Sequence, residues 1–220
     1  MMRTALAALA GALVLSACDD TGPALPHKTV PVTPFMGETV MGNAAAPVEI
    51  VEYASTTCGH CKAFHADVLP ELKTKYIDTG KAKLVYRVMP TPPPELSVAG
   101  AALARCAGEE KFFAVVDDLF QNQEKLIGAM RQPRRLQREL TELGSRHGLS
   151  ADEVGSCIAD EKLTRHIVDI ARAAPASVTG TPAFIVNGKD VEQNSLEALS
   201  AAIDSALGNP TGIPSEPPAQ

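Results

Sequence analysis

Cys58-Gly59-His60-Cys61 lies where a β-rich run hands over to a helical one, and that placement limits the folds open to this chain. Upstream, Val48-Glu49-Ile50-Val51-Glu52-Tyr53 has the composition of a short buried strand. Downstream, Phe64, Val68, Leu72 and Tyr76 recur every four residues and lay one apolar stripe along a helix. Pro70 falls inside that helix and should kink it, because it lacks an N–H and its ring crowds the preceding turn. Gly80 closes the unit, and Lys83-Leu84-Val85-Tyr86-Arg87-Val88 reads as a second strand. Strand, helix and strand in so short a span make a βαβ unit with a parallel pair.

From Thr91 to Ser177 the pattern is helical. Leu96 to Ala107 is Ala-rich, Glu110 to Phe120 carries Phe112, Phe113, Val116 and Phe120, and Pro133 to His147 carries Leu136, Leu140 and Leu143. Ser150 reads as the N-cap of a helix from Ala151 to Ile158, with Glu153 completing a capping box, and Ala159 to Ala174 closes the block. Sheet signals then return. Ala183-Phe184-Ile185-Val186 is a strand, Asn187-Gly188 signals a hairpin, and Lys189-Asp190-Val191 is its second arm. Ser195 caps a last helix reaching Leu207. No internal repeat is visible. Residues 37–90 and 178–207 thus form one α/β core, split in sequence by a helical insertion over 91–177.

The two ends read differently. Arg3 precedes an apolar run from Ala5 to Leu15, too short to span a bilayer and suited to a signal peptide over residues 1–17. Leu15-Ser16-Ala17-Cys18 looks like a bacterial lipobox, in which Cys18 would be lipidated and become the new N-terminus; a plain signal peptide with Cys18 left free, or a retained membrane anchor, are the alternatives. Residues 18–36 carry Pro23, Pro26, Pro31 and Pro34 and read as a semi-rigid spacer holding the body off a membrane. Residues 208–220, with Pro210, Pro214, Pro217 and Pro218, read as a disordered tail. Export would place the protein where disulfides persist. Five Cys then divide into Cys18 for lipid and an even set of four. The net charge of −6 argues against general nucleic-acid binding, since nothing would neutralise the phosphates. Arg131, Arg134, Arg135 and Arg138 read as a solvated helix face beside Glu139 and Glu142.

Two Cys spaced i, i+3 at a helix start are close enough to bridge. The first stands at the positive end of the helix, where unpaired amides favour a thiolate. Cys58 is therefore the candidate attacking thiol and Cys61, inside the first turn, the resolving one. His60 can stabilise a Cys58 thiolate by charge or a donated hydrogen bond, which favours the dithiol and makes the disulfide more oxidising. Two other readings compete. Cys58, Cys61, His60 and His65 are candidate zinc ligands, but no second Cys/His pair stands at motif spacing. A purely structural bridge would stabilise little, because closing so short a ring removes little unfolded-state entropy.

The strand, the Cys58–Cys61 motif opening a helix, the helical block, and Gly180-Thr181-Pro182 before a strand together resemble the DsbA-like thiol oxidoreductases of the thioredoxin superfamily. The resemblance spans Gly37 to Leu207. It implies a thioredoxin-like fold with a helical insertion domain. It implies that Pro182 is cis and that Thr181 presents its backbone to a bound substrate strand. Glu52, six residues before Cys58, takes the place of the family's buried acid; with its carboxyl pKa raised by apolar surroundings, it would accept the proton of Cys61. A solvent-facing Glu52 on an edge strand is the alternative. Some family members carry a second disulfide in the insertion, which here would join Cys106 to Cys157; two buried free thiols are the other possibility. His65 reads as a partly buried packing histidine.

By the same resemblance the chain is expected to donate disulfides to reduced or unfolded exported proteins as a lipid-anchored monomer on the periplasmic face of a membrane. A DsbB-like, quinone-linked membrane oxidase would reoxidise it. The Cys58–Cys61 disulfide is the redox group, and no metal or organic cofactor is implied. Cys-Gly-His-Cys also looks like the dithiol of eukaryotic protein disulfide isomerase, which keeps an isomerase or a reductant open. A metal-binding assembly lipoprotein using Cys58, Cys61 and a His is the reading from another class.

Overall fold

The computed structural model describes residues 22–208 of the 220. The expected signal peptide, Cys18 and the tail beyond Gly208 lie outside the described residues.

A five-stranded sheet runs in the order β1-β3-β2-β4-β5, with β1 Thr39–Met41, β2 Val48–Ala54, β3 Ala82–Val88, β4 Ala183–Val186 and β5 Lys189–Val191. β2 and β3 are parallel, and the other pairs are antiparallel. β2 is central, and all seven of its residues are buried. Its apolar content therefore reflects burial on both faces. Val48 and Ile50 pack with Phe64, Leu72, Tyr76, Leu84 and Ile203 on one side, while Val51 and Tyr53 pack with Val85, Val178 and Ile185 on the other.

Pro70 divides the first helix as its chemistry requires. α1 (Gly59–Asp67) ends at Val68, and α2 (Leu69–Leu72) restarts with Pro70 in its first turn, followed by a π-helical turn over Lys73–Ile77. Between β3 and β4 the chain is helical: α3 (Pro94–Cys106), α4 (Phe112–Gln121), α5 (Gln123–Ala129), α6 (Pro133–Arg146), α7 (Ala151–Ala159) and α8 (Glu161–Arg172). The Ser150–Glu153 capping box is formed, with the Ser150 hydroxyl accepting from Glu153 N–H and the Glu153 carboxylate accepting from Ser150 N–H. Asp160 caps α8 through hydrogen bonds from the Lys162 and Leu163 amides at 2.8 and 3.0 Å. Asn187 (φ 45°) and Gly188 (φ 79°) both adopt positive φ, the requirement of a two-residue type I′ hairpin. α9 (Leu196–Gly208) returns across the sheet, with the Ser195 hydroxyl accepting from Ala198 N–H. β1 and α5 have no counterpart in the sequence reading. A three-residue strand is too short to show alternation, and α5 follows α4 after the single residue Asn122.

The proline-rich segment differs from expectation over its described part. Residues 22–36 do not stand off as a spacer but lie across the helical block as a strap. Leu25 exchanges two hydrogen bonds with the Gln137 amide, Lys28 N–H donates to Asp152, and Val30 N–H donates to Ser156. Arg134 donates to Pro23 O, so one arginine of the basic cluster fastens the strap. Val32 and Met36 pack on the helical core. Arg105, only 2 % exposed, spends its guanidinium on Phe35 O and Gly37 O, both at 2.9 Å. Proline supplies extended backbone without donors, so such a strap reaches its partners through the remaining amides and carbonyls. A chain beginning at Gly37 strands part of the buried Arg105 guanidinium, a loss of ~1.5–3 kcal/mol for one charged hydrogen bond. Its thermal midpoint should fall by roughly 5–10 °C relative to a chain beginning at Gly22, as calorimetry of the two would show.

Candidate active site

β2 delivers its C-terminal end into a turn in which the hydroxyls of Ser55 and Thr57 are hydrogen-bonded. Ser55 Oγ lies 2.9 Å from Thr57 Oγ1 and 2.8 Å from Ser97 Oγ, and it accepts from Thr91 N–H. Thr57 Oγ1 donates to Thr91 O at 2.8 Å. Gln123, buried on α5, donates to Thr56 O and Cys58 O at 2.9 and 3.0 Å. Serine and threonine here are joints, fixing the direction in which the chain enters α1.

Cys58 is the N-cap of α1. Its backbone is extended (φ −88°, ψ 122°), and its sulfur accepts from Cys61 N–H at 3.4 Å. The thiol is half-buried and donates to Thr181 O at 3.3 Å. The Thr181–Pro182 peptide bond is cis, as is Pro92–Pro93. Burial by itself would push the Cys58 thiol up. Hydrogen bonds from the Thr181 hydroxyl, from the Cys61 N–H and thiol, and from the His60 N–H outweigh it and hold the thiol below its ordinary value of 9.0. His60 contributes its main-chain N–H, and its side chain is exposed. Cys61 is fully buried, and burial pushes its thiol far above the ordinary value, with the neighbouring Cys58 adding to the effect. Both thiols are free. One turn of helix thus carries two Cys with opposite acidities, the polarity that thiol–disulfide exchange uses.

Glu52 is fully buried, but it does not sit alone among apolar groups. His65 Nε2 lies 3.1 and 3.2 Å from its two carboxylate oxygens, and His65 Nδ1 lies 3.4 Å from Asp117 on α4. Burial alone would lower the pKa of His65. The charge of Glu52 and the hydrogen bond to Asp117 more than reverse that and raise it to about 9. The expected packing histidine is therefore a buried imidazolium. Its site was hidden in sequence because Asp117 lies on α4, far along the chain. Cys106 and Cys157 are disulfide-bonded and join α3 to α7. Among the described residues no three His, Cys, Asp or Glu side chains converge on a metal position.

A sequence model of the family described as Thioredoxin matches residues 36–205. A protein-disulfide oxidoreductase of Rickettsia bellii is 36 % identical over 82 % of this chain, which spans 69 % of that protein. For the Rickettsia prowazekii counterpart, 34 % identical over 79 % of this chain, the span is 63 %. The alpha-DsbA1 structure of Wolbachia pipientis superposes with a TM-score of 0.70 at 27 % identity, covering 80 % of this chain and 94 % of that one. The chain belongs to the DsbA-like family of thioredoxin-fold protein-disulfide oxidoreductases. The thioredoxin-like α/β fold expected from the sequence is thereby established.

For a DsbA-like protein the acidity of the first Cys is the quantity to measure. Thr181→Val removes the hydroxyl that stabilises the Cys58 thiolate, and the alkylation midpoint of Cys58 should rise by roughly 0.5–1 pH unit. Mass shift after timed iodoacetamide pulses reads this directly, with Cys61 unmodified throughout.

The buried imidazolium also sets a stability profile. The folded-state pKa of His65 is raised from 6.5 to about 9. Its stabilisation is therefore complete below pH ~6.5 and is lost as pH rises through ~9, about 3 kcal/mol in all. In the oxidised protein, where Cys58 and Cys61 do not titrate, the thermal midpoint of His65→Gln should lie well below wild type at pH 6. The two should converge by pH 10.

Proposed function

We propose that Cys58 and Cys61 form the redox pair of this oxidoreductase and that it donates disulfides to reduced, exported proteins. A substrate thiolate attacks Cys58 Sγ of the Cys58–Cys61 disulfide. The substrate–Cys58 bond forms, the Cys58–Cys61 bond breaks, and Cys61 leaves with the electron pair and takes up a proton. A second substrate thiolate attacks the substrate sulfur of the mixed disulfide, and Cys58 leaves as a thiolate. The substrate has lost two electrons and the pair has gained them.

The acidity of Cys58 carries this reading. A thiolate stabilised by the helix N-terminus and by Thr181 favours the dithiol over the disulfide, which makes the disulfide oxidising. The exposed Gly180 and half-buried Thr181, beside Cys58, suit an extended substrate segment that pairs with main-chain groups. Glu52 is the group that takes and returns the proton of Cys61. Cys18 would anchor the protein as a monomer at the periplasmic face of a bacterial membrane, and a DsbB-like quinone-linked oxidase in that membrane would accept the two electrons. Beyond the Cys58–Cys61 pair no cofactor is required by this chemistry.

The reduction potential of the pair tests the direction of flow. Equilibration with glutathione buffers, read by alkylation mass shift because the chain has no Trp, should give a value above about −160 mV, toward the ~−120 mV of a strong oxidant. A value near the ~−270 mV of thioredoxin would make the protein a reductant. Replacing Cys58 by Ser should abolish turnover.

A further inference from the structure

Cys61 raises a problem that the cycle above leaves open. It is fully buried, and as a leaving thiolate it needs a proton at once. Glu52, equally sealed, makes its hydrogen bonds to His65 and not to Cys61, so its carboxylate is already committed. We propose that His65 is the proton reservoir of the redox pair: its Nε2 proton is lent through Glu52 to Cys61 when Cys61 leaves, and is returned when Cys61 attacks, while Asp117 holds Nδ1–H and fixes the exchanging nitrogen inward. This rests on the Cys58–Cys61 cycle proposed above.

The placement supports it on three counts. Cys61 and His65 stand at i and i+4 on the buried face of α1, neighbours on one helix surface. The imidazole has two different partners, a sealed carboxylate on β2 and a carboxylate on α4 whose side chain is 52 % exposed. The ring is clamped so that it cannot swap them. Phe120 lies 4.5 Å away by ring centroids, Phe64 5.8 Å and Tyr86 6.1 Å. An Asp that fixes one ring nitrogen so that the other can exchange a proton is a general device for histidine chemistry.

The proton count closes. When the substrate thiolate opens the Cys58–Cys61 bond, the Glu52 carboxylate takes the His65 Nε2 proton and passes it to Cys61–S⁻, leaving Glu52 a carboxylate again and His65 neutral with Nδ1–H toward Asp117. When the pair is reoxidised, Cys61–SH gives the proton back along the same path as its sulfur attacks. No solvent proton need enter the sealed core during either step. His65 does not touch substrate; it is a positioning residue that acts through Glu52. The other groups around it are Tyr86 on β3, whose buried hydroxyl has no hydrogen-bond partner, and Lys62 and Lys73, which with His65 and Asp117 line a groove of about 550 Å³. At neutral pH the reservoir is full, because His65 holds its proton up to about 9.

The test is the rate of reduction of the oxidised full chain by a small dithiol between pH 5.5 and 10, for wild type, His65→Gln and Asp117→Asn. The ratio of wild-type to variant rate removes the ionisation of the attacking thiol. For His65→Gln the ratio should be roughly 10–100 at pH 7 and collapse toward 1 above pH ~9.5. Asp117→Asn removes a half-exposed carboxylate and should fold as wild type, yet its rate should fall off at a pH lower by roughly half a unit or more. If His65→Gln does not fold, the Asp117→Asn profile decides alone. An Asp117→Asn profile superimposable on wild type, or a folded His65→Gln within twofold of wild type at pH 7, overturns the relay and leaves the redox cycle standing. A wild-type chain with no reducible Cys58–Cys61 bond overturns both.

Discussion

The parallel pairing of β2 with β3 is the constraint on which the site depends. It covers one edge of β2, fixes its register from Val48 opposite Ala82 to Ala54 opposite Val88, and places it between two packed layers with its end toward α1. A strand with no free face cannot slip by one residue without turning its apolar side chains into the wrong layer. Glu52 is therefore held on the α1 side, and Cys58 is held at the mouth. β4 lies on the other edge of β2, with Tyr53 opposite Ala183, and this brings Thr181 and Pro182 beside the first thiol. Three distant stretches of chain meet because one strand has neighbours on both sides.

On that frame the two Cys are separated by environment and not by distance. Cys58 caps the helix and gathers donors; Cys61 lies three residues on and has none of the solvent it would need as an anion. A thiolate at the cap is stabilised by unpaired amides, while for one in the core the desolvation cost exceeds what the Ser55 amide returns. The same geometry gives both the acidity of one sulfur and the inertness of the other. The turn hydroxyls of Ser55 and Thr57 and the amide of Gln123 hold this geometry from behind, so the helical block supports the site as well as covering it.

Much of this was legible in the sequence, for reasons that can be named. The central strands show as apolar runs because both faces are buried, Pro70 breaks the helix by lacking an N–H, and Ser150 with Glu153 forms a local box within four residues. Each signal is complete within a few positions. What stayed hidden is non-local. The strap carries proline and reads as a spacer, and only Gln137, Asp152, Ser156 and Arg105, over a hundred or some seventy positions away, turn it into a packed segment. Gln123 and Asp117 have no motif about them at all. Their roles exist only once α4 and α5 are folded against α1.

The Glu52–His65 pair is where stability and chemistry part. Two ionised groups in a core lose most of their hydration, and apolar side chains of the same volume would often serve stability as well or better. Leucine at both positions would fill the space between β2, α1 and α4 without a charge to desolvate. The chain instead carries a carboxylate, an imidazolium and a second carboxylate in line from the sheet to the groove. The line begins one helical turn along α1 from Cys61, the buried thiol. On the cycle proposed above that arrangement has a use, because a buried sulfur that leaves as a thiolate then stands one helical turn from a stored proton.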